Sequence, residues 1–332
     1  MHLLQSSTKR ADSFTATLRA LSPNLLILWW KTWKSLPIIS WLRAAGHFRS
    51  GNFGSAIDFY RHGLARHPEH RAADYARLDF CYCLYRIGHL AEAEKELRIL
   101  VEKEVRIRDV YLLLAEIELL LGRKTDAVLT IARCLKVFPH DVRTNYLYTR
   151  ALLACGGPAK HIAILRERLY ALRAKIDVRD TQAALLETAI ASYELQHGQK
   201  EQGEKLLSRV LAGEDFPYEA LLLKAEWYLD SGRFPQARKL AERAMSIDPN
   251  HPEPPALLAQ SYLRDERIYE PSWAVALAET ACKLSFWQNP IYLELLVDAL
   301  ERSGDHDSAE LFRERASRYT TRDFHAEKVQ AA

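Results

Sequence analysis

The hydrophobic positions of the stretch LLILWWKTWKSLPIISWL, Leu25 to Leu42, fall on one side of a helix as far as Leu36. Leu25, Leu26, Trp29, Trp30, Trp33 and Leu36 share a face, Lys31, Lys34 and Ser35 lie opposite, and Ile27 and Leu28 break the pattern. Ser22 suits an N-cap and Pro23 a first helical turn. The pattern therefore predicts an amphipathic helix over 23–36 and a second helix that opens at Pro37 and carries Trp41 and Leu42. A helix of that length rises about 21 Å, whereas a bilayer core needs about 30 Å, so it does not span. A cleaved signal is also a poor fit, because the uninterrupted apolar run covers only Leu25 to Trp30 and lysines follow it. Two uses of the apolar face stay open. It packs on the helix that follows, or Trp29, Trp30, Lys31, Trp33 and Lys34 dock it on a membrane interface or a partner.

Beyond Pro37 the pattern repeats. Helix-like segments end at Gly51, Gly88, Gly122, Gly156, Gly198, Gly232 and Gly304, with successive gaps of 37, 34, 34, 42, 34 and 72 residues. Two residues after the glycine comes, in several repeats, an apolar or aromatic residue (Phe53, Leu90, Phe234), and three residues further on an alanine (Ala56, Ala93, Ala127, Ala237, Ala309). The second helix runs on to Pro68, Pro139 or Pro249. Glycine accepts the left-handed conformation at a helix end, small alanine lets two helices approach closely, and proline cannot continue a helix. A period of this length predicts an all-α solenoid of helical pairs.

The combined Gly, Ala and Pro spacing resembles the tetratricopeptide repeat (TPR) family over Pro37 to Arg318. The resemblance implies a right-handed superhelix of about eight helix-turn-helix units starting near Pro37, Asp74, Arg108, Val142, Ala184, Tyr218, Pro252 and Pro290. A polar, basic leader (1–22) and the amphipathic helix (23–36) precede it, and a polar tail (319–332) follows. The fourth unit departs from the pattern, with His161 at the alanine position and extra residues in RERLYALRAKIDVRD. The seventh lacks its glycine and carries an insertion around RIYEPSW. In the family the first helix of each unit lines a concave groove. Carried over residue by residue, that implies Tyr75, Leu78, Tyr82, Tyr85 and Arg86 in the second unit and Arg143, Tyr146, Arg150, Leu153 and Ala154 in the fourth. The sixth unit contributes Glu219, Leu222, Glu226, Leu229 and Asp230, and the eighth Ile291, Glu294, Asp298, Glu301 and Arg302. The near half of this groove is aromatic and basic, the far half acidic. No unit carries the lysine and asparagine pair with which relatives clamp a C-terminal carboxylate.

Charge sharpens this picture. The whole chain of 332 residues carries +3, but residues 1–50 carry +6 and no acid occurs from Ser13 to Ile57, so the solenoid is net acidic. That argues against nucleic acid as a partner and marks the N-terminus as a contact for something anionic. The five scattered cysteines fit a reduced compartment, which points to the cytoplasm.

Chemistry is hard to find. GRKT at Gly122 to Thr125 lacks the earlier glycine of a phosphate loop, Ile117 standing in its place. His62, His67 and His70 lack a third rigid ligand geometry, Cys81 and Cys83 point apart on one helix, and GDHDSAE reads as a helix cap. No cofactor, metal or catalytic residue is expected. The expected function is a non-enzymatic adaptor that holds a partner peptide or helix on Tyr75, Tyr82, Tyr85, Arg86, Arg143, Tyr146 and Arg150. The alternative is a membrane-surface assembly factor of a bacterial secretion, pilus or polysaccharide-export system, docked through the tryptophan-rich N-terminus at the inner face of the membrane.

Overall fold

The computed structural model describes residues 37–70, 72–176, 181–268 and 270–320, and all regular structure among them is α-helical. The leader, the expected lead helix with Trp29, Trp30, Lys31, Trp33 and Lys34, and the chain beyond Thr320 lie outside the described residues. Sixteen helices are described, in eight consecutive pairs: α1 (Pro37–Arg49) with α2 (Phe53–Arg66), α3 (Ala73–Arg86) with α4 (Leu90–Glu102), α5 (Arg108–Leu120) with α6 (Lys124–Val137), and α7 (Val142–Ala154) with α8 (Ala159–Arg173). They continue with α9 (Thr181–His197) and α10 (Lys200–Ala212), α11 (Tyr218–Asp230) and α12 (Phe234–Ile247), α13 (Glu253–Arg264) and α14 (Pro271–Leu284), and α15 (Pro290–Ser303) and α16 (His306–Thr320). This is the expected all-α solenoid of eight units. The described chain divides into two compact units at Glu96/Leu97, inside α4. No described helix is long and apolar enough to cross a membrane.

Local chemistry sets the pairs. Within most pairs the glycine takes positive φ (Gly51, Gly88, Gly122, Gly156, Gly232 and Gly304), and its N–H and the next one close the helix end. At Gly122, for example, Gly122 N–H donates to Leu119 O at 3.0 Å and Arg123 N–H to Glu118 O at 2.8 Å, which satisfies carbonyls the helix leaves open. Gly198 is the exception: its φ is not positive, and a Cβ there would come within 2.0 Å of Glu194 Oε2. Helix starts are capped by Asn52, Asp141 and Asn289, whose side chains accept from Ser55, Thr144 and Ile291 N–H, and α12 to α15 each carry a proline in the first turn.

The small residue after each turn is what the two helices pack against. Ala56, Ala93, Ala127, Ala237 and Ala309 are all essentially inaccessible. In the fifth pair Gly203 takes this position, where an added Cβ would press on Leu195 Cγ at 2.8 Å, and in the seventh pair Ala274 does. His161, at the same position in the fourth pair, is only partly covered. The second unit has a chain of cores rather than one. Ile131, Leu152, Leu165 and Leu186 fill α6 to α9, Leu221, Ala241 and Leu257 fill α11 to α13, and Leu293 and Leu296 close the last pairs. Each fully buried leucine contributes about 1.5–3 kcal/mol.

Candidate functional site

In the first unit, α3 separates its side chains by face. Ala73, Ala76, Phe80, Cys83 and Leu84 are buried, while Tyr75 and Tyr82 stand 43% and 37% exposed on the opposite side. Tyr85 is half-buried and Arg86 exposed. Tyr82 anchors a row of rings: Phe48 lies 5.5 Å from it and Tyr85 6.2 Å, and Phe48 in turn meets Phe53 at 5.8 Å. Arg86 spreads its guanidinium over Phe53 at 5.0 Å. Two phenols and a cation are thus presented on a strip whose rings are held in place by their neighbours. The thiols of Cys81 and Cys83 are buried and free, and burial pushes that of Cys83 up to about 12, so neither supplies a thiolate.

In the second unit the concave residues meet one another. Arg143 Nη1 on α7 donates to Glu219 Oε1 on α11 at 2.9 Å, reaching across two pairs. Arg150 Nη2, a further two turns along α7, donates to Glu253 Oε2 at the start of α13. The turn at Gly122 lies against Pro290 at the start of α15, so that a Cβ on Gly122 would sit 2.7 Å from Pro290 Cγ. Between these contacts the inward positions of α9 are covered: Thr188 is 0% exposed and Ser192 8%. The expectation of an open surface at Tyr146 meets a side chain only 6% exposed, and Arg150 is held by a glutamate.

Glu226, one turn on from the buried Leu222, remains exposed within this interior and makes no hydrogen bond or ion pair among the described residues. Crowding by protein, then the nearby Glu253 carboxylate, raises its pKa to about 7 against the pull of Arg150 and Lys124. Asp230, on the same helix, is paired with Arg264 at 3.2 Å. Tyr292 of α15 feels Glu253, Arg150 and Glu226 together, and burial raises its phenol above the ordinary range. Glu253, Lys124 and Tyr292 were not among the groove residues expected from the sequence. Glu253 stands in the same register of α13 as Arg143 in α7 and Glu219 in α11, so the register that selects those two also selects it. Nothing local marks Lys124 or Tyr292, which belong to this interior only because of the winding.

No group of three or more histidine, cysteine or acidic side chains among the described residues is placed to hold a metal ion. In GDHDSAE, Asp305 Oδ1 accepts Ser308 N–H at 3.1 Å, the capping role its position implies.

Two stretches, residues 84–141 and 188–252, match the family model of the tetratricopeptide repeat. Among solved structures, a tetratricopeptide repeat protein from Parabacteroides merdae superposes with a TM-score of 0.59 at 14% identity, covering 80% of this chain and 99% of that one. The APC/C hetero-tetramer Cut9–Hcn1 gives 0.58 at 15% identity over 86% of this chain and 59% of the other. The human IFIT1 dimer with PPP-AAAA gives 0.51 at 16% identity, over 82% and 66%. At such identities the likeness establishes the fold alone. No curated protein matches by sequence.

Proposed function

Since the chain belongs to the tetratricopeptide repeat family, whose fold generally serves protein interaction, we propose that it is a non-enzymatic scaffold and that α3 is where a partner peptide or helix is anchored. The observation that carries this reading is the pair Tyr75 and Tyr82, left exposed on one face of a helix whose other apolar side chains are buried or half-buried. Tyrosine and arginine are the residues most often found as binding anchors, because they bury much area with few rotatable bonds. Tyr85, Arg86 and the rings of Phe48 and Phe53 hold the strip rigid, which lowers the entropy lost on binding.

The IFIT1 structure holds PPP-AAAA. An anionic ligand of that kind finds no support in the second unit here, where Arg143 and Arg150 are each occupied by a glutamate. The cationic N-terminus, +6 over residues 1–50, favours a second reading in which it docks on anionic lipid while the repeats recruit soluble components. Co-sedimentation with anionic vesicles of the full chain against one starting at Pro37 separates the readings; equal sedimentation removes lipid docking.

The scaffold reading is tested by affinity purification followed by titration of the recovered partner, purified, against Tyr75→Ala/Tyr82→Ala. Affinity falls at least about tenfold, the loss of two moderate anchors, while the melting temperature is little changed because both side chains are exposed. Unchanged affinity removes α3 as the anchor.

A further inference from the structure

The interior of the second unit contains a polar cluster in which one carboxylate is left without an ion pair among the described residues. Side chains from five helices converge there: Lys124 from α6, Tyr146 and Arg150 from α7, Glu226 and Asp230 from α11, Glu253 from α13, and Tyr292 from α15. Three carboxylates already have a guanidinium, Glu219 with Arg143, Glu253 with Arg150 and Asp230 with Arg264. Glu226 has no such partner among the described residues and stays open to solvent.

Tyr146 adds an independent observation. It is only 6% exposed, and its hydroxyl makes no hydrogen bond among the described residues. Burial raises its pKa, and Arg150, Glu219, Glu253 and Glu226 act on it as well. A hydroxyl on a nearly covered side chain with no partner of its own is open to a donor from outside. Tyr218 Oη is buried without a partner, which is costly unless something from outside satisfies it, and Glu253, Glu219 and Arg150 act on it too.

Lys124 attracts Glu226 but does not bond it, so the missing chemistry is a donor in direct contact with that carboxylate. A carboxylate and phenol oxygens all accept hydrogen bonds. An anion would meet Glu226 and Glu253 with both local arginines already engaged. A guanidinium or ammonium group would complete the set, bonding Glu226 in a charge-assisted pair.

We propose that the interior of the second unit receives an arginine or lysine side chain presented by a protein partner, with Glu226 as its counter-ion and the Tyr146 hydroxyl as a second acceptor. This rests on the scaffold reading but uses a different surface from α3. Because Glu226 titrates near 7, its carboxylate is charged above that pH and mostly neutral below it; Arg150, Lys124, Asp230 and Glu253 are the other charged groups that face it. The guest is therefore held more tightly at pH 8 than at pH 6.

The test is a titration of the full chain with the peptide acetyl-Gly-Gly-Arg-Gly-Gly-amide and its citrulline counterpart, which keeps the shape and removes the charge. At pH 8 the arginine peptide binds, the citrulline peptide binds about tenfold more weakly or not at all, and Glu226→Gln loses about tenfold with unchanged circular dichroism. Wild-type affinity falls between pH 8 and pH 6, and Glu226→Gln shows no such dependence. Absence of arginine-peptide binding, equal binding of citrulline, or undiminished binding by Glu226→Gln overturns the proposal. Tyr75→Ala/Tyr82→Ala retains arginine-peptide binding, so failure of the α3 anchor and failure of this site are separately visible.

Discussion

Gly122 does two things that no other residue can do together. Its φ of +75° lies in the left-handed region, and its missing Cβ makes room for Pro290. Gly51 shares the first requirement but has nothing within 4 Å of an added Cβ. Gly51→Ala should cost about 1 kcal/mol, the strain of a left-handed alanine, and Gly122→Ala about 2–4 kcal/mol, since overpacking adds to it. Chemical denaturation of the two variants measures the difference, and equal losses would mean that the Gly122–Pro290 contact carries no energy. At this scale the sequence is legible where a backbone rule applies. The glycine spacing marks turns, and all but Gly198 among them take positive φ. It is not legible where burial depends on what lies across a gap. Tyr82 and Tyr146 both stand at inward-facing family positions, yet one is exposed and the other covered, and only the neighbours decide which.

At the scale of the helix, the seventh unit shows how a missing glycine is replaced. α13 ends at Arg264, and Asp265 then takes an extended conformation instead of a left-handed one. Its side chain is 5% exposed, accepts from Arg238 Nη2 at 2.9 Å, and accepts Arg267 N–H at 3.3 Å. Arg238 also lies 5.1 Å over the Tyr262 ring. An ion pair thus holds the end of the helix where most other units use a left-handed glycine turn. Asp265→Ala leaves Arg238 buried without its counter-ion and should cost about 3 kcal/mol, whereas Asp230→Ala, which breaks an exposed pair, should cost less than about 1 kcal/mol. Thermal unfolding of both variants checks the ordering. The pattern break was visible in the sequence as a skipped glycine and the insertion around RIYEPSW. The substitute was not, because Arg238 and Asp265 lie 27 residues apart and carry no local signature.

At the scale of the whole second unit, periodicity predicts helical pairs but not how tightly they wind. Arg150 and Glu253 are 103 residues apart, and their pairing follows from small rotations accumulated over three repeats. The same winding gathers Glu226 into a crowded interior and gives stability a defined pH dependence. Its folded pKa near 7 exceeds the unfolded value of about 4.5, so the folded state favours the proton. This contribution to stability is full below about pH 4.5 and is lost as pH rises through 7. Glu226→Gln should therefore melt higher than wild type at pH 8 and at a similar temperature at pH 5. A variant that melts no higher at pH 8 would show that the carboxylate is not strained by its surroundings. The central claim, that partners are held on the inward faces of first helices, is tested most directly by hydroxyl-radical footprinting of the full chain with its purified partner. Tyr75 and Tyr82 are exposed on α3, and Trp273, 59% exposed on the second helix α14, serves as the internal reference. The account predicts that the partner suppresses labelling of Tyr75 and Tyr82 and leaves Trp273 unchanged. Protection of Trp273 with full labelling of both tyrosines would contradict it.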